Sequence, residues 1–206
     1  SSPTVQKAAK KFADVALTPG NVNGGGKAIA ATGFGATANL FATDKNKCFM
    51  MRQGSFITDF FPDAVKAEYK ANNFTRVGVF KLPAPAGTTD AVLGGGDLAA
   101  AFDANPATQK VLNFILSDKL GTGAMLATYP SYLSAHKTFP SAGYKNPITK
   151  NIAGILSTAK LFGFDGSDLA PAVVNATEWT ELTNWIAGKK TQKQAFDAID
   201  ASWKKA

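Results

Sequence analysis

A glycine-rich segment that ends in a carboxylate is the first candidate for chemistry in this sequence. The run VLGGGDLAAAF contains the spacing Gly94-x-Gly96-x-x-Ala99, which dinucleotide-binding loops use. In such loops the third small residue lies in the first turn of a helix whose N-terminus holds the pyrophosphate. Here the strongest helix-start signal, Asn105 followed by Pro106, comes six residues after Ala99. The spacing therefore argues against a dinucleotide, and no cofactor is predicted.

Three carboxylates form the second candidate, because hydrolysis of a glycosidic bond needs two of them at a defined separation. Asp97 follows the glycines, and Asp165 and Asp168 lie in the loop-like segment FDGSDLAP. A structural interpretation stands beside the catalytic one, since Asp165, Ser167 and Asp168 are typical loop residues that hydrogen-bond their own backbone. Contact with a polar ligand is a third interpretation. The residues alone leave all three open.

Aromatic side chains at loops would offer a sugar ring a flat apolar face, with nearby carboxylates and amides taking its hydroxyl groups. Four aromatic residues fall at predicted loops or helix starts: Phe56, Tyr129, Tyr132 and Trp179. Trp179 is the best of them, because a helix start beside it would add backbone N–H donors. An ordinary core position is the alternative for each ring.

Composition limits the classes of function. The chain of 206 residues has a formal charge of +7, but its lysines are scattered and arginine occurs only at Arg52 and Arg76. A nucleic-acid surface is therefore not favoured. Cys48 and His136 are the only residues of their types, too few for a zinc site or an internal disulfide. No stretch approaches the roughly 20 apolar residues that cross a bilayer, and no leader-like segment opens the sequence.

Strand-like and helix-like segments alternate along the chain, which predicts an α/β class. The predicted strands are CFMMRQGSF, TRVGVFKLP and DAVLGGGDLAAAF. Helices are predicted after Thr4 as a cap, in ATGFGATANLFATDK, in ITDFFPDAVKAEY, after Asn105, and after the proline of NPITKNIAGILSTAKLF.

Two capping boxes are predicted near the C-terminus, Asn175 with Glu178 and Thr191 with Gln194. The first would open a helix that ends at Gly188, and the second would open the last helix. These elements would hold the acidic loop and Trp179 in place.

Six sequence motifs occur in a fixed order along the chain. They are CFMMRQGSFITDFF, TRVGVFKLPAPAG, AVLGGGDLAAAFDANPATQKVLNFILSDKL, YLSAHKTF, FDGSDLAPAVVNATEWTELTNWIAG and TQKQAFDAIDASW. Together they resemble the C-terminal half of the solute-binding proteins of bacterial ABC sugar importers. The α-glucoside-binding branch is the most similar, with the maltose-binding proteins more distant, and the resemblance covers essentially the whole chain.

The resemblance implies a periplasmic-binding-protein-like fold of type II, in which two α/β lobes joined by hinge strands close around a sugar. Residues 1–90 and about 130–206 would belong mainly to the C-terminal lobe. Residues from about 91 to 129 would form the hinge crossing and a segment of the N-terminal lobe. Family members are considerably longer, so most of the N-terminal lobe is expected outside this sequence, together with a signal sequence and a lipid-bearing cysteine.

The resemblance also implies which residues contact the ligand. An aromatic residue follows the glycine turn, the GGGD segment lines the cleft, a tryptophan stacks on the sugar, and an acidic loop lies nearby. The matching residues are Gln53, Ser55, Phe56, Gly95, Gly96, Asp97, Asp165 and Trp179. Asp168 matches the same acidic loop as Asp165.

The function that the resemblance implies is non-catalytic binding of a carbohydrate, an α-glucoside or oligosaccharide, in the periplasm or at the outer face of a membrane to which the protein is anchored. The implied partners are the carbohydrate, the membrane permease of an ABC importer and the N-terminal half of the same protein. A glycan-active hydrolase that uses Asp97 with Asp165 or Asp168 is the alternative. A basic surface-binding module is a third possibility.

Overall fold

A computed structural model describes residues 1–40, 48–73, 76–84, 87–118, 125–136 and 138–206. These residues form two compact units. The terminal unit comprises the described residues 1–40, 48–50 and 165–206, and the central unit comprises those between 51 and 164. Within the described ranges, no helix is long and apolar enough to cross a membrane.

The structure is mixed α/β and rich in helix. Its α-helices are α1 (Pro3–Ala16), α2 (Gly25–Ala31), α3 (Asp63–Lys70), α4 (Pro106–Ile115), α5 (Met125–Thr128), α6 (Pro147–Thr158), α7 (Ala172–Ile186) and α8 (Gln192–Ser202). The strands of the described residues are β1 (Ala91–Gly94) and β2 (Leu161–Phe164). Short 3-10 helices cover Phe34–Leu40, Ser55–Phe60, Ser141–Gly143 and Trp203–Lys205.

Several helix boundaries lie where the sequence predicts them. The side-chain oxygen of Asn105 caps α4 by accepting from the Thr108 N–H at 2.9 Å. Thr191 and Gln194 form the predicted capping box of α8. α7 ends just before Gly188, whose φ of +74° is a conformation that glycine adopts without strain. These three predictions are confirmed. The boundaries could be predicted because each signal acts on backbone groups within one turn of the helix end.

Two predicted helix starts are wrong by a few residues. Ser2, rather than Thr4, caps α1. α7 begins at Ala172, so Asn175 lies in its first turn and does not cap it. The Asn175 amide instead donates to the carbonyl oxygen of Ser167 at 2.7 Å. In both cases a proline at the helix entrance sets the start earlier than the pattern of polar residues suggests.

Two other predicted helices are shorter than expected. In ATGFGATANLFATDK the described residues form the 3-10 helix Phe34–Leu40, and residues 41–45 lie outside the described ranges. The segment ITDFFPDAVKAEY divides at Pro62, which separates the 3-10 helix Ser55–Phe60 from α3. A helix cannot continue regularly through a proline, because proline has no backbone N–H to donate to a carbonyl oxygen of the preceding turn.

The predicted strands differ most from the structure. Residues 48–54 of CFMMRQGSF are irregular, and Phe49 is 90% exposed. Residues 76–83 of TRVGVFKLP are irregular as well. The third run does begin with a strand, β1, which pairs in parallel with β2 so that Ala91 lies opposite Leu161. The sequence pattern predicts the residues of β2 to be the end of the preceding helix. A short apolar run is too short to show whether its periodicity is that of a helix or that of a strand.

A buried polar network crosses the core of the central unit. The Tyr69 hydroxyl lies 2.8 Å from Thr149 Oγ1, and the Thr149 hydroxyl donates to the carbonyl oxygen of Pro130. The Asn146 amide donates to the Tyr69 carbonyl oxygen at 2.8 Å. Burial raises the pKa of the Tyr69 hydroxyl. The buried apolar residues of this unit are Ile57, Phe61, Val65, Tyr69, Tyr144 and Ile148.

The terminal unit is organised around the pair of helices α7 and α8. The ring of Trp185 lies between Phe12 of α1 and Phe196 of α8, with 6.0 Å between ring centroids on each side. Glu181, which is nearly buried, accepts from the Lys190 ammonium at 2.6 Å and so joins α7 to the turn before α8. The buried apolar residues of this unit are Ala38, Val174, Ala195 and Ile199.

Candidate functional site

Three of the predicted ligand contacts lie at the start of the 3-10 helix Ser55–Phe60: Gln53 just before it, and Ser55 and Phe56 as its first two residues. Gln53 is exposed, and its side-chain oxygen accepts from the Gly54 N–H at 2.9 Å. Ser55 is half-buried, whereas the ring of Phe56 is 48% exposed. The two residues after Phe56 are buried, so the turn is anchored directly behind the exposed ring.

The Phe56 ring packs over Gly54. A β-carbon added at Gly54 would lie 2.7 Å from Cε1 of Phe56 and force the ring to move. On its other side the ring meets Phe60 edge to face, with 6.5 Å between centroids. Phe60 was not among the predicted contacts, although its spacing of four residues from Phe56 is a signal for neighbouring side chains on a helical turn. The Phe56 ring thus packs against Gly54 and Phe60 while about half of it stays exposed.

The glycine run after β1 carries three further predicted contacts. Gly94 is packed under the Phe162 ring, since a β-carbon there would lie 2.6 Å from it. Gly95 and Gly96 are different, because a β-carbon at either would meet nothing within 4 Å and neither has a positive φ. Asp97 follows them, exposed and irregular in structure. Nothing in the described part of the chain requires glycine at positions 95 and 96.

The acidic loop lies in the terminal unit. Asp165 is half-buried, and its Oδ1 accepts both the backbone N–H of Ser167 at 3.0 Å and the Ser167 hydroxyl at 2.8 Å. The interpretation of Asp165 as a residue that bonds its own loop is therefore confirmed. Asp168 is exposed.

Trp179 also lies in the terminal unit, but its setting differs from the prediction. It occupies the middle of α7, two turns after the first residue, Ala172, and its side chain is 66% exposed. The backbone N–H groups around it are those of a helix interior, so they are not available as donors to a ligand. What Trp179 offers is an exposed indole ring on a rigid helix.

The predicted contacts thus fall into two groups. Gln53 precedes the 3-10 helix Ser55–Phe60 and Ser55 and Phe56 begin it, while Gly95, Gly96 and Asp97 follow β1; these six lie in the central unit. The other two predicted contacts, Asp165 and Trp179, belong to the terminal unit. Among the described residues, no group of three His, Cys, Asp or Glu side chains could hold a metal ion. The chemistry on offer is aromatic stacking with amide, hydroxyl and carboxylate hydrogen bonds.

Comparison with known proteins finds two curated relatives that match 97% of this chain. An α-glucosides-binding periplasmic protein of Rhizobium meliloti is 30% identical over 200 residues. An osmoprotective compounds-binding protein of Synechocystis sp. is 28% identical over 201 residues. The chain spans 42% of the length of the first and 45% of the length of the second.

No family model matches the chain, and no solved structure matches it significantly. The two relatives nevertheless confirm the resemblance that the order of the motifs predicts. The chain is similar, over nearly all of its length, to part of proteins that bind α-glucosides or osmoprotective compounds.

Proposed function

We propose that this chain is part of a non-catalytic carbohydrate-binding component of an ABC importer, with α-glucosides or related oligosaccharides as ligands. The observation that carries the proposal is the similarity, over 97% of the chain, to two proteins named for binding small solutes. Because the chain spans less than half of either relative, the proposal concerns a protein of their length.

We propose the type II architecture of two lobes joined by hinge strands, with most of the N-terminal lobe outside these residues. Residues 1–90 and about 130–206 belong mainly to the C-terminal lobe, and residues about 91–129 cross to the other one. Large apolar side chains in that crossing support the assignment: Leu98 is 89% exposed, Phe102 is fully exposed, and α4 has no buried residue. Exposed apolar surface of this kind is typical of a face that packs against another part of an assembly.

In the central unit, we propose that the Phe56 ring stacks on a sugar and that Gln53, Ser55 and Asp97 bond hydroxyl groups, the exposed Asp97 carboxylate having the capacity to accept two of them. In the terminal unit, the proposed ligand contacts are the Trp179 ring and Asp165. A carbohydrate needs this combination, because each ring presents apolar C–H faces and a rim of hydroxyl groups.

Contact with the ligand is the proposed reason for glycine at positions 95 and 96, which the fold alone does not explain. Both stand in open space with ordinary backbone angles, so neither packing nor strain selects glycine there. Close approach of a ligand to bare backbone does select it. The two residues would present N–H and C=O groups to a sugar.

The proposed partners are the carbohydrate, the membrane permease of the importer and the N-terminal half of the same protein, in an extracytoplasmic, membrane-anchored setting. Support comes from one relative's being a periplasmic protein. The hydrolase alternative, in which Asp97 acts with Asp165 or Asp168, has no support from the relatives, which are named as binding proteins.

The proposal is tested by thermal unfolding of a protein extended to the length of its relatives, in the presence of maltose, trehalose, sucrose or glycine betaine. A bound ligand stabilises the folded state, so one or more of the glucosides should raise the melting temperature. A shift with glycine betaine alone would move the ligand class away from carbohydrates. Release of product from a chromogenic α-glucoside, abolished by Asp97→Asn, would favour the hydrolase instead.

A further inference from the structure

The turn before α2 contains the only asparagine–glycine pair of the sequence, Asn23–Gly24. An asparagine side chain can be attacked by the backbone nitrogen of the next residue, and glycine has no side chain to shield that nitrogen. Asn23 is exposed. Among the described residues, neither its side-chain amide nor the Gly24 N–H has a hydrogen-bond partner. Both reacting groups are therefore unprotected.

The fold itself requires glycine after Asn23. Gly24 has a φ of +74°, in the left-handed region that glycine adopts without strain. A β-carbon added there would also lie 2.5 Å from the β-carbon of Ala28, in the first turns of α2. The residue that makes Asn23 reactive is thus part of the entrance to this helix.

The pair occupies the centre of a β-turn. The Gly25 N–H donates to the Val22 carbonyl oxygen at 3.0 Å. Gly24, at φ +74° and ψ 0°, has a positive φ and Asn23 does not, which is the pattern of a type II turn. The peptide group between the two residues must rotate before the Gly24 nitrogen can reach the Asn23 side chain. An exposed turn that a single hydrogen bond closes is among the parts of a protein that open most easily.

Other asparagines of the chain lack this combination. Asn105 and Asn146 each precede a proline, which has no N–H with which to attack. The Asn21 amide donates to the Val15 carbonyl oxygen at 2.9 Å, and the residue after it is a valine. Four more lie in α-helices, whose backbone N–H groups are hydrogen-bonded: Asn113, Asn151, Asn175 and Asn184.

We propose that Asn23 is a site of spontaneous covalent modification, which converts it to isoaspartate and aspartate. The Gly24 nitrogen gives up its proton and bonds to Cγ of Asn23, the bond from Cγ to Nδ2 breaks, and ammonia leaves with that proton. The product is a five-membered succinimide ring. Water then adds to one of the two ring carbonyls and opens the ring to either acid. Ring closure is favoured because the chain already holds the two reacting atoms close together.

The modification is tested by incubating the protein at pH 6 and pH 8, followed by tryptic digestion and mass spectrometry. Cleavage after Lys11 and Lys27 releases a peptide, residues 12–27, that contains both Asn21 and Asn23. We expect the mass gain of an amide-to-acid conversion at Asn23, faster at pH 8 because the attacking nitrogen must lose its proton. An isoaspartyl methyltransferase should label the same peptide. Because one hydrogen bond closes the turn, the rate in the protein should lie within about tenfold of that in the free peptide 12–27.

Two variants separate Asn23 from its neighbour. Asn23→Gln should lose the mass gain, since its side chain is longer by one methylene and closes a ring less easily, whereas Asn21→Gln should keep it. A sample digested without incubation corrects for conversion during digestion. A rate in the protein more than about tenfold below that of the free peptide would overturn the proposal. So would a mass gain at Asn21 as large as that at Asn23.

Discussion

A β-carbon added at Gly94 would lie 2.6 Å from the Phe162 ring, whereas one added at Gly95 or Gly96 would meet nothing within 4 Å. Three adjacent glycines are thus glycine for different reasons. At Gly94, a side chain would fit only if the Phe162 ring moved. Gly95 and Gly96 are free to change as far as the described residues are concerned, which leaves an external ligand as the proposed reason for them.

Alanine substitutions separate the two reasons. Gly94→Ala should lower the free energy of unfolding by about 1 kcal/mol, because the Phe162 ring must move. Gly95→Ala and Gly96→Ala should leave it unchanged or raise it by up to about 1 kcal/mol, since alanine restricts the unfolded chain. Urea denaturation followed by tyrosine absorbance measures this. A loss at position 95 or 96 as large as at 94 would show that the fold requires those glycines.

The Tyr69 hydroxyl gives the central unit a dependence on alkaline pH. Burial raises its pKa above the ordinary value of 10.0, so the unfolded chain loses this proton at a lower pH than the folded chain. The stabilisation is fully present below about pH 10 and is lost as the pH rises through the folded pKa. Urea denaturation at pH 8 and pH 10.5 should therefore show a decline.

Tyr69→Phe should remove that part of the decline, at a cost of about 1 kcal/mol at pH 8 for the lost hydrogen bond to Thr149. The matched control is Tyr129→Phe, which changes a tyrosine that is 49% exposed and should keep the decline. An equal decline in the wild type and in Tyr69→Phe would assign the pH dependence to other groups.

At the scale of elements, two helices of the central unit begin with the same Asn-Pro pair in different environments. Asn105, which caps α4, is exposed. Asn146, which caps α6, is 2% exposed, accepts from two backbone N–H groups and donates to the Tyr69 carbonyl oxygen. The same sequence signal therefore serves as a local cap in one helix and as part of a core network in the other.

Replacement of each cap by alanine should separate these roles. Asn105→Ala should cost about 1 kcal/mol, the typical value of a lost cap. Asn146→Ala should cost more, roughly 2–3 kcal/mol, because it also removes a buried hydrogen bond to the Tyr69 carbonyl oxygen, which still accepts from the Asn72 N–H. The four tyrosines lie in the central unit and the three tryptophans in the terminal unit, so tyrosine absorbance reports this change separately. Equal costs would contradict the assigned network.

The elements that could be predicted from sequence are those with local signals. Asn105 and Thr191 act on N–H groups within one turn, and Gly188 ends α7 by its own backbone angle. β2 could not be predicted, because its partner β1 is about 70 residues away in sequence and a short apolar run fits a helix equally well. Trp179 could be predicted as a candidate exposed ring. Its position in the middle of α7 could not, because the capping pattern at Asn175 suggested a later helix start than the one that follows Pro171.

We propose that a protein of the relatives' length binds carbohydrate through exposed aromatic rings, with Phe56 as the candidate in the central unit and Trp179 as the candidate in the terminal unit. For each ring, the position in the fold and not exposure alone should determine its effect on binding. Phe56 and Trp179 have matched controls in this chain, since Phe34 is 57% and Trp203 54% exposed at positions outside the proposed site. A ring that stacks on a sugar contributes roughly 1–2 kcal/mol, about a tenfold change in affinity.

Carbohydrate binding is measured by isothermal titration of maltose, trehalose and sucrose into a protein of the relatives' length. We expect saturable binding of at least one of these glucosides, weakened about tenfold or more by Phe56→Ala or Trp179→Ala. Phe34→Ala and Trp203→Ala should bind like the wild type. Absence of binding across the panel, or equal losses in the site variants and their controls, would contradict the proposed carbohydrate binding.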